Sequence, residues 1–379
     1  MQPICCFLLL FFFLLCPEKP AAAPQMPARY MLEADQPAGP LHAPAGYYRP
    51  PAGTQPSTFA CPALLPPYTG SLVFPSKYRG SDRARDRINP EASAEYERLA
   101  GILRNFEKTV SSLADRYVEA DGDPRVLECF LEQVSSWAAA DALLNTECNE
   151  IGMASRKWLL AATASAWLQV SLAVPEEMTG HPRQVRAVEA WFTRLAETVR
   201  EDYSGRDLNH INNHDYWAGW AVMAASVVLD RRDLFVWAWN RLRIAVNEQV
   251  TDQGYLPNEL RRRTRALLYH NYALQPLTMI LVFGEANGIH LQAGETAGYR
   301  RLVDRVVKGI GNPAIFAEVT SSPQEVDSLR TPYSLAWLLP YGTVFHADPA
   351  VHRLVDEYGK MVSTRLGGNL TRLYAPFQR

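Results

Sequence analysis

Tyr216-Trp217-Ala218-Gly219-Trp220-Ala221-Val222-Met223, continuing through Ala224 to Leu229, is almost wholly apolar and carries no charge. Trp158 to Leu172 has the same character. Neither stretch alternates with a period of two, and both read as helices apolar on most sides, which places them inside a larger body. More polar helices surround them. Leu99, Leu103, Phe106, Val110, Leu113 and Tyr117 recur at four- and three-residue steps, the stripe of an amphipathic helix. Residues 125–144 place Leu127, Phe130, Leu131, Val134 and Trp137 inward, and residues 183–200 do the same with Val185, Val188, Trp191, Phe192 and Leu195. Further helices are expected over 234–250, 264–287, 297–308, 332–345 and 349–366, with a kink at Pro276. No segment alternates convincingly as a strand. The chain is therefore expected to be all-α, with roughly ten to twelve helices joined by short loops. Alternation of polar and apolar helices suits hairpins with an outer layer around an inner one. The pattern alone does not separate a ring from another helical array, and no fixed-period repeat is visible.

The 379 residues are 47% hydrophobic, ample for one large core. Charged residues make up 21% and the formal net charge is −2, so the basicity of a nucleic-acid binder is missing. No global field gathers a polyanion, and any anion site must be a local basic cluster. Met1 to Pro17 reads as a leader: Phe7 to Leu15 is unbroken apolar sequence, too short to span a bilayer with ease, and Ala21-Ala22-Ala23 offers small residues for cleavage. Residues 1–23 are expected to be a signal peptide, giving a periplasmic or secreted protein with no membrane attachment once the leader is removed. Between Pro17 and Pro67 lie 13 of the 27 prolines, so residues 24–60 are read as an extended arm and 61–379 as a single domain. Three cysteines lie beyond the leader, Cys61, Cys129 and Cys148, which allows one disulfide and a free thiol or three buried thiols. There is no Cys/His grouping of metal-binding spacing, and no metal or other cofactor is expected.

Chemistry concentrates between Asn209 and Tyr272. In Asn212-Asn213-His214 the asparagine suits a helix N-cap, with the helix expected to begin at about Asp215. The positive dipole end there favours a neutral His214 imidazole, a possible base; the plainer alternative is a half-buried ring. Arg262 and Tyr269 are seven residues apart and on a helix would share a face about 10 Å apart, with Arg265 between them. A guanidinium beside the phenol would lower its pKa or hold a carboxylate bidentately. Two alternatives stand beside this: Arg262 lies in a loop before the helix, or Arg261-Arg262-Arg263 is a solvated charge run. The combination is chemically coherent for elimination across C4–C5 of a uronate. Asn213 and Arg262 suit neutralisation of the C6 carboxylate, His214 or Tyr269 removal of the C5 proton, and Tyr269 protonation of O4. Tyr203, Tyr216, Trp217 and Tyr272 are aromatics available to stack on sugar rings. An acidic polysaccharide is the partner this chemistry implies.

Asn212-Asn213-His214-Asp215-Tyr216-Trp217 followed by Ala218-Gly219-Trp220-Ala221-Val222-Met223 resembles the signature of the periplasmic alginate lyases that cleave poly(mannuronate). Further stretches match in order: Pro67-Tyr68-Thr69-Gly70-Ser71-Leu72-Val73-Phe74; Ser76-Lys77-Tyr78 with Gly80-Ser81-Asp82; Arg156-Lys157-Trp158; and Leu256-Pro257-Asn258-Glu259-Leu260 leading to Tyr269-His270-Asn271-Tyr272. The resemblance runs from about residue 60 to the C-terminus. It implies an incomplete (α/α) toroid and β-elimination at the 4-O-glycosidic bond. Asn213 and Arg262 match the carboxylate-neutralising pair, His214 and Tyr269 the base and acid, and Lys77 a substrate-contacting lysine on a mobile loop. Tyr78, Arg265, Trp217 and Tyr272 are expected as further substrate contacts. In mannuronate the C5 proton and O4 share one face, so one tyrosine can serve as base and then acid. The resemblance also implies that Cys61 pairs with Cys129. Two departures stand out. Asp215 replaces the usual serine, adding a negative charge beside His214, and Arg79 stands where glutamate is frequent. Lysis of another polyuronate such as glucuronan, or a binding role in an alginate-export complex, are the competing readings.

Overall fold

A computed structural model describes residues 37–53, 58–76, 78, 89–119, 122–346 and 348–374. The helices are α1 (Pro90–Glu119), α2 (Pro124–Ala139), α3 (Glu150–Ser171), α4 (Pro175–Met178), α5 (Pro182–Tyr203), α6 (Asn213–Leu229), α7 (Arg232–Ile244), α8 (Pro257–Leu260), α9 (Ala266–Ala286), α10 (Ala293–Gly311), α11 (Ala314–Thr320), α12 (Leu338–Val344), α13 (Pro349–Asp356) and α14 (Leu370–Leu373). Successive helices pair as hairpins: α1 with α2, α3 with α5, α6 with α7, α9 with α10, and α12 with α13. The first members pack on one another in the order α1, α3, α6, α9, α12 and form the inner layer. Helices α2, α5, α7 and α10 lie outside it. The fold is all-α, as the helical patterns predict, and it is the toroid that the family resemblance implies.

Layer membership follows from side-chain chemistry. Between Ala154 and Val170 only Trp158 of α3 is not buried, and Trp217, Ala218, Trp220, Ala221 and Val222 of α6 are completely enclosed. Helix α5, with a single apolar stripe, stays outside and keeps Arg and Glu in water, whereas α1, also striped, ends the inner layer with its apolar face on α3. Helix α6 begins two residues earlier than expected. Its cap is Asn212, whose side chain accepts from the His214 N–H, while Asp215 accepts from the Asn212 backbone at 3.0 Å, a reciprocal capping box. Helix α3 is capped by Asn149, which accepts from Ile151 and Gly152. Gly152 is needed there, because a Cβ would fall 1.9 Å from the Leu72 carbonyl of the strap over the helix. Helix α9 continues through Pro276 to Ala286.

Two expectations need correction. Residues 349–366 are not one helix: α13 ends at Asp356, and the chain then forms β1 (Val362–Ser363) and β2 (Gly368–Asn369), antiparallel with Val362 opposite Asn369. Gly367 and Gly368 adopt left-handed φ of 114° and 84°, which ends any helix there. Residues 234–250 divide into α7 and a π-helical turn at Ala245–Gln249. The stretch read as a Pro-rich arm is described from residue 37 to 53 and from 58 onward. In its described part Leu41, Ala43 and Tyr47 belong to the core, Tyr47 packs edge-on to Phe283, and Asn287 exchanges two hydrogen bonds with His42 at 2.8 Å each. A segment with few apolar residues gains order by docking them on a finished surface. The Cys61–Cys129 disulfide is present and ties the next segment to α2, while Cys148 is a free, half-buried thiol. Residues 1–36, on which the leader reading falls, lie outside the described residues.

Candidate active site

The N-terminal ends of α3 and α6, the 258–272 segment, Tyr78 and the C-terminal hairpin surround a cavity of about 920 Å³. Among the described residues six arginines line it, Arg104, Arg206, Arg261, Arg262, Arg265 and Arg365, against three acids, Glu97, Glu150 and Asp207. The nearly neutral chain thus builds a local basic concavity, the arrangement required to hold an anion. Asn213, His214, Arg262, Arg265, Tyr269, Tyr272 and Tyr78 all reach it.

Asn213 opens α6 and is wholly buried; its backbone N–H and its Nδ2 donate to Glu259 Oε1 at 2.6 and 2.8 Å. Because Glu259 accepts both bonds, the amide orientation is defined. Glu259 Oε2 lies 3.8 Å from Arg262 Nε, and burial pushes the Glu259 carboxyl above its ordinary range against the pull of Arg262 and Asn213. Arg262 sits in the turn between α8 and α9, not on the helix with Tyr269, and its guanidinium stacks 4.5 Å over the Tyr269 ring. Arg265 lies 5.4 Å over the same ring and donates to Tyr78 Oη at 2.7 Å. Tyr78 Oη is in turn 3.3 Å from Tyr269 Oη. With its oxygen accepting from Arg265, the Tyr78 hydroxyl can aim its hydrogen at Tyr269. The expected lowering of the Tyr269 pKa is not found: burial pushes the phenol up and exceeds the opposing pull of Arg262 and Arg265.

His214 meets the buried Lys157, whose Nζ lies 2.9 Å from His214 Nδ1 and donates to Tyr203 Oη at 2.9 Å. Asp215 does not threaten an anionic ligand. It is fully buried in the cap, 3.7 Å from Arg206, and lies off the cavity wall.

Trp217 is a correction as well. It is wholly buried, off the cavity wall, and packs against Tyr272 with centroids 5.0 Å apart, so it supports a lining residue instead of touching a ligand. Tyr216 is buried too, whereas Tyr203 and Tyr272 do line the cavity. Lys77 and Arg79 lie outside the described residues. Three contributors escaped sequence reasoning. Glu259 lay in plain view in the Leu256–Leu260 motif but had no role until its bonds to Asn213 were seen. Lys157 likewise sat in a recognised motif on a helix that read as core. Arg365 has no local signal at all: it arrives on the C-terminal hairpin, pairs with Glu107 at 2.8 Å and stacks 4.5 Å over Trp158.

The chain matches the family model described as alginate lyase over residues 73–316. It is 40% identical over 341 residues to an alginate lyase of Pseudomonas fluorescens, covering 89% of this chain and 91% of that protein. An alginate lyase of Pseudomonas aeruginosa is 40% identical over 334 residues, covering 88% and 90%. Among solved structures, alginate lyase A1-III from a Sphingomonas species superposes with a TM-score of 0.70 at 28% identity, covering 84% of this chain and 88% of the other. A variant of A1-III complexed with a tetrasaccharide gives a TM-score of 0.71 at 27% identity, with the same coverage. Over most of its length, in sequence and in fold, this chain belongs to the alginate lyase family.

Proposed function

We propose that this polysaccharide lyase cleaves alginate by β-elimination at mannuronate residues, with Tyr269 at the reacting face. The observation that carries the reading is the Tyr269 ring, which lines the basic cavity with Arg262 and Arg265 stacked against it and Tyr78 at its hydroxyl. Arg262 and the second N–H of Asn213 Nδ2 face the C6 carboxylate. Neutralising that charge acidifies the C5 proton. The phenolate form of Tyr269, favoured by both guanidiniums against burial, takes this proton and returns it to O4 on the same face. The C4–O4 bond breaks and a 4,5-unsaturated uronate remains on the new non-reducing end. Same-face transfer through one group suits mannuronate.

The proposed setting is the periplasm. The leader-like residues 1–23 support it, and so does the Cys61–Cys129 disulfide, a bond that persists in oxidising compartments. Cell fractionation tests it, and a wholly cytoplasmic protein would end it.

The activity test is incubation with polymannuronate, polyguluronate and glucuronan in parallel, following far-ultraviolet absorbance of the unsaturated product. Absorbance is expected to rise on polymannuronate and not in Tyr269→Phe, whose helical circular dichroism stays unchanged. A rise on glucuronan alone moves the substrate. Undiminished activity in Tyr269→Phe removes Tyr269 from the reaction.

A further inference from the structure

The two candidate bases, His214 and Tyr269, differ in one respect: His214 is held from behind by a buried amine. Lys157 lies in α3 with no exposed surface. Its Nζ contacts Tyr203 Oη and His214 Nδ1, both at 2.9 Å. Its stem runs beside the Trp158 and Tyr203 rings, with Nζ 4.6 and 4.8 Å from their centroids. Charged and titratable groups approach from every neighbouring element: Asp202 and Tyr203 from α5, Arg206 from the following loop, His214 and Asp215 from α6, and Arg365 from the C-terminal hairpin. Burying an amine is costly unless its nitrogen is hydrogen-bonded, and here Tyr203 and His214 supply the partners.

The hydrogen bonds allow two charge states. As an ammonium, Lys157 has three donors and no lone pair, so Tyr203 Oη and His214 Nδ1 both accept. As an amine, which burial favours, its lone pair takes the Tyr203 hydroxyl hydrogen, and an N–H remains for Nδ1. Tyr203 keeps that hydrogen because burial raises its own pKa. In both of these arrangements Nδ1 is the acceptor and the imidazole hydrogen sits on Nε2; an amine that donates to Tyr203 Oη and accepts from Nδ1–H is the competing arrangement, which the tautomer measurement below separates from them.

We propose that Lys157 is a positioning residue for the elimination: through its bond to Nδ1 it holds His214 as the Nε2–H tautomer, making the imidazole a hydrogen-bond donor to the substrate carboxylate and withholding it as a base. The inference rests on the lyase reading and deepens it. It assigns proton removal to Tyr269 and makes Lys157 a determinant of specificity. Polyguluronate is epimeric at C5, so its C5 proton lies on the face opposite O4 and calls for a second base. Lys157 denies the site that base.

The test begins with the free enzyme. Nitrogen-15 histidine labelling, with His214 assigned through His214→Gln, distinguishes the tautomers by which ring nitrogen couples to both carbon-bound protons. The Nε2–H form is expected in the unmodified protein, and the Nδ1–H form would overturn the proposal without any turnover measurement. In Lys157→Met the donor is gone: the tautomers are expected to mix, and kcat on polymannuronate to fall by about tenfold to a hundredfold with little change in KM. The ratio of polyguluronate to polymannuronate activity is expected to rise. Lys157→Gln, which returns an N–H donor, is expected to recover part of kcat and the Nε2–H signature. A Lys157→Met enzyme with the original tautomer and substrate ratio would refute the role. If that variant does not fold, the tautomer of the unmodified protein decides. Failure of the lyase reading is distinguishable, because it would appear as no cleavage by the unmodified enzyme while the tautomer remains measurable.

Discussion

Replacing Glu259 with glutamine tests the internal wiring of the site. Glu259 accepts from the Asn213 N–H at 2.6 Å and from Asn213 Nδ2 at 2.8 Å, and its other oxygen lies 3.8 Å from Arg262 Nε. Glutamine keeps one acceptor oxygen, so both bonds to Asn213 survive without charge assistance, a loss of about 1 kcal/mol each. Its amide N–H₂ must face the Arg262 N–H, donor against donor. The lost attraction to Arg262 is at most about 4 kcal/mol at that distance with an effective dielectric near 20, and relief from burying a carboxylate offsets much of it. The net expectation for Glu259→Gln is about 2–4 kcal/mol of destabilisation, a fall in Tm of about 3–6 °C for a domain of this size. Function should split. Arg262, freed of its internal counter-ion, binds the anionic substrate more tightly and KM falls. Asn213 loses its charged anchor and kcat falls by about tenfold. Calorimetry with steady-state kinetics on polymannuronate measures both. Unchanged kcat with unchanged or raised Tm would refute the view that Glu259 organises the carboxylate-binding pair.

Two further outcomes concern stability. Asp115, which accepts from Gln169 at 3.0 Å and from the Asn369 N–H at 2.9 Å, has its carboxyl pushed up by burial to about 6 from 3.8. A raised acid pKa means that the folded state holds this proton more tightly than the unfolded chain does. The associated stability is full below about pH 4 and is lost as pH rises through about 6, at most about 3 kcal/mol. Asp115→Asn keeps both acceptor bonds at Oδ1 and should flatten that part of the pH–stability curve while raising Tm above pH 7; an unaltered curve would show that Asp115 titrates normally. The Cys61–Cys129 bond spans 68 residues, and its loss in Cys61→Ser should cost about 4 kcal/mol by chain entropy, read from the denaturation midpoint under oxidising conditions. No shift in midpoint would show that the segment before α1 is held by packing alone.

Helix positions were legible where a single helix decides its own fate. The stripes of α1, α2 and α5 and the unbroken apolar runs of α3 and α6 are local patterns, and the helices formed where they lie. In the tail, helical spacing lasts only to Asp356; Gly359 follows, and Gly367 and Gly368, just beyond 366, take the left-handed φ of the turn that pairs β1 and β2. In the proline-rich segment, composition judges whether a stretch can order itself, whereas Tyr47 is ordered by a surface built elsewhere. Asn213, His214, Arg262 and Tyr269, singled out for their side-chain chemistry in short motifs, line one cavity. Trp217 was misplaced because residue type does not say which side of α6 faces the cavity.

Amino-acid order alone determined the helical class, the apolar character of α3 and α6, and the short motifs that carry Asn213, His214, Arg262 and Tyr269. Tertiary structure decided what those residues do to each other. Glu259 reaches Asn213 across 46 positions and Lys157 reaches His214 across 57. Burial, which no local pattern reports, turned the Tyr269 phenol upward in pKa despite two guanidiniums. Periodicity is written in neighbours along the chain. Desolvation and hydrogen-bond direction are properties of neighbours in space, and they exist only after the ring of helices has brought distant residues together.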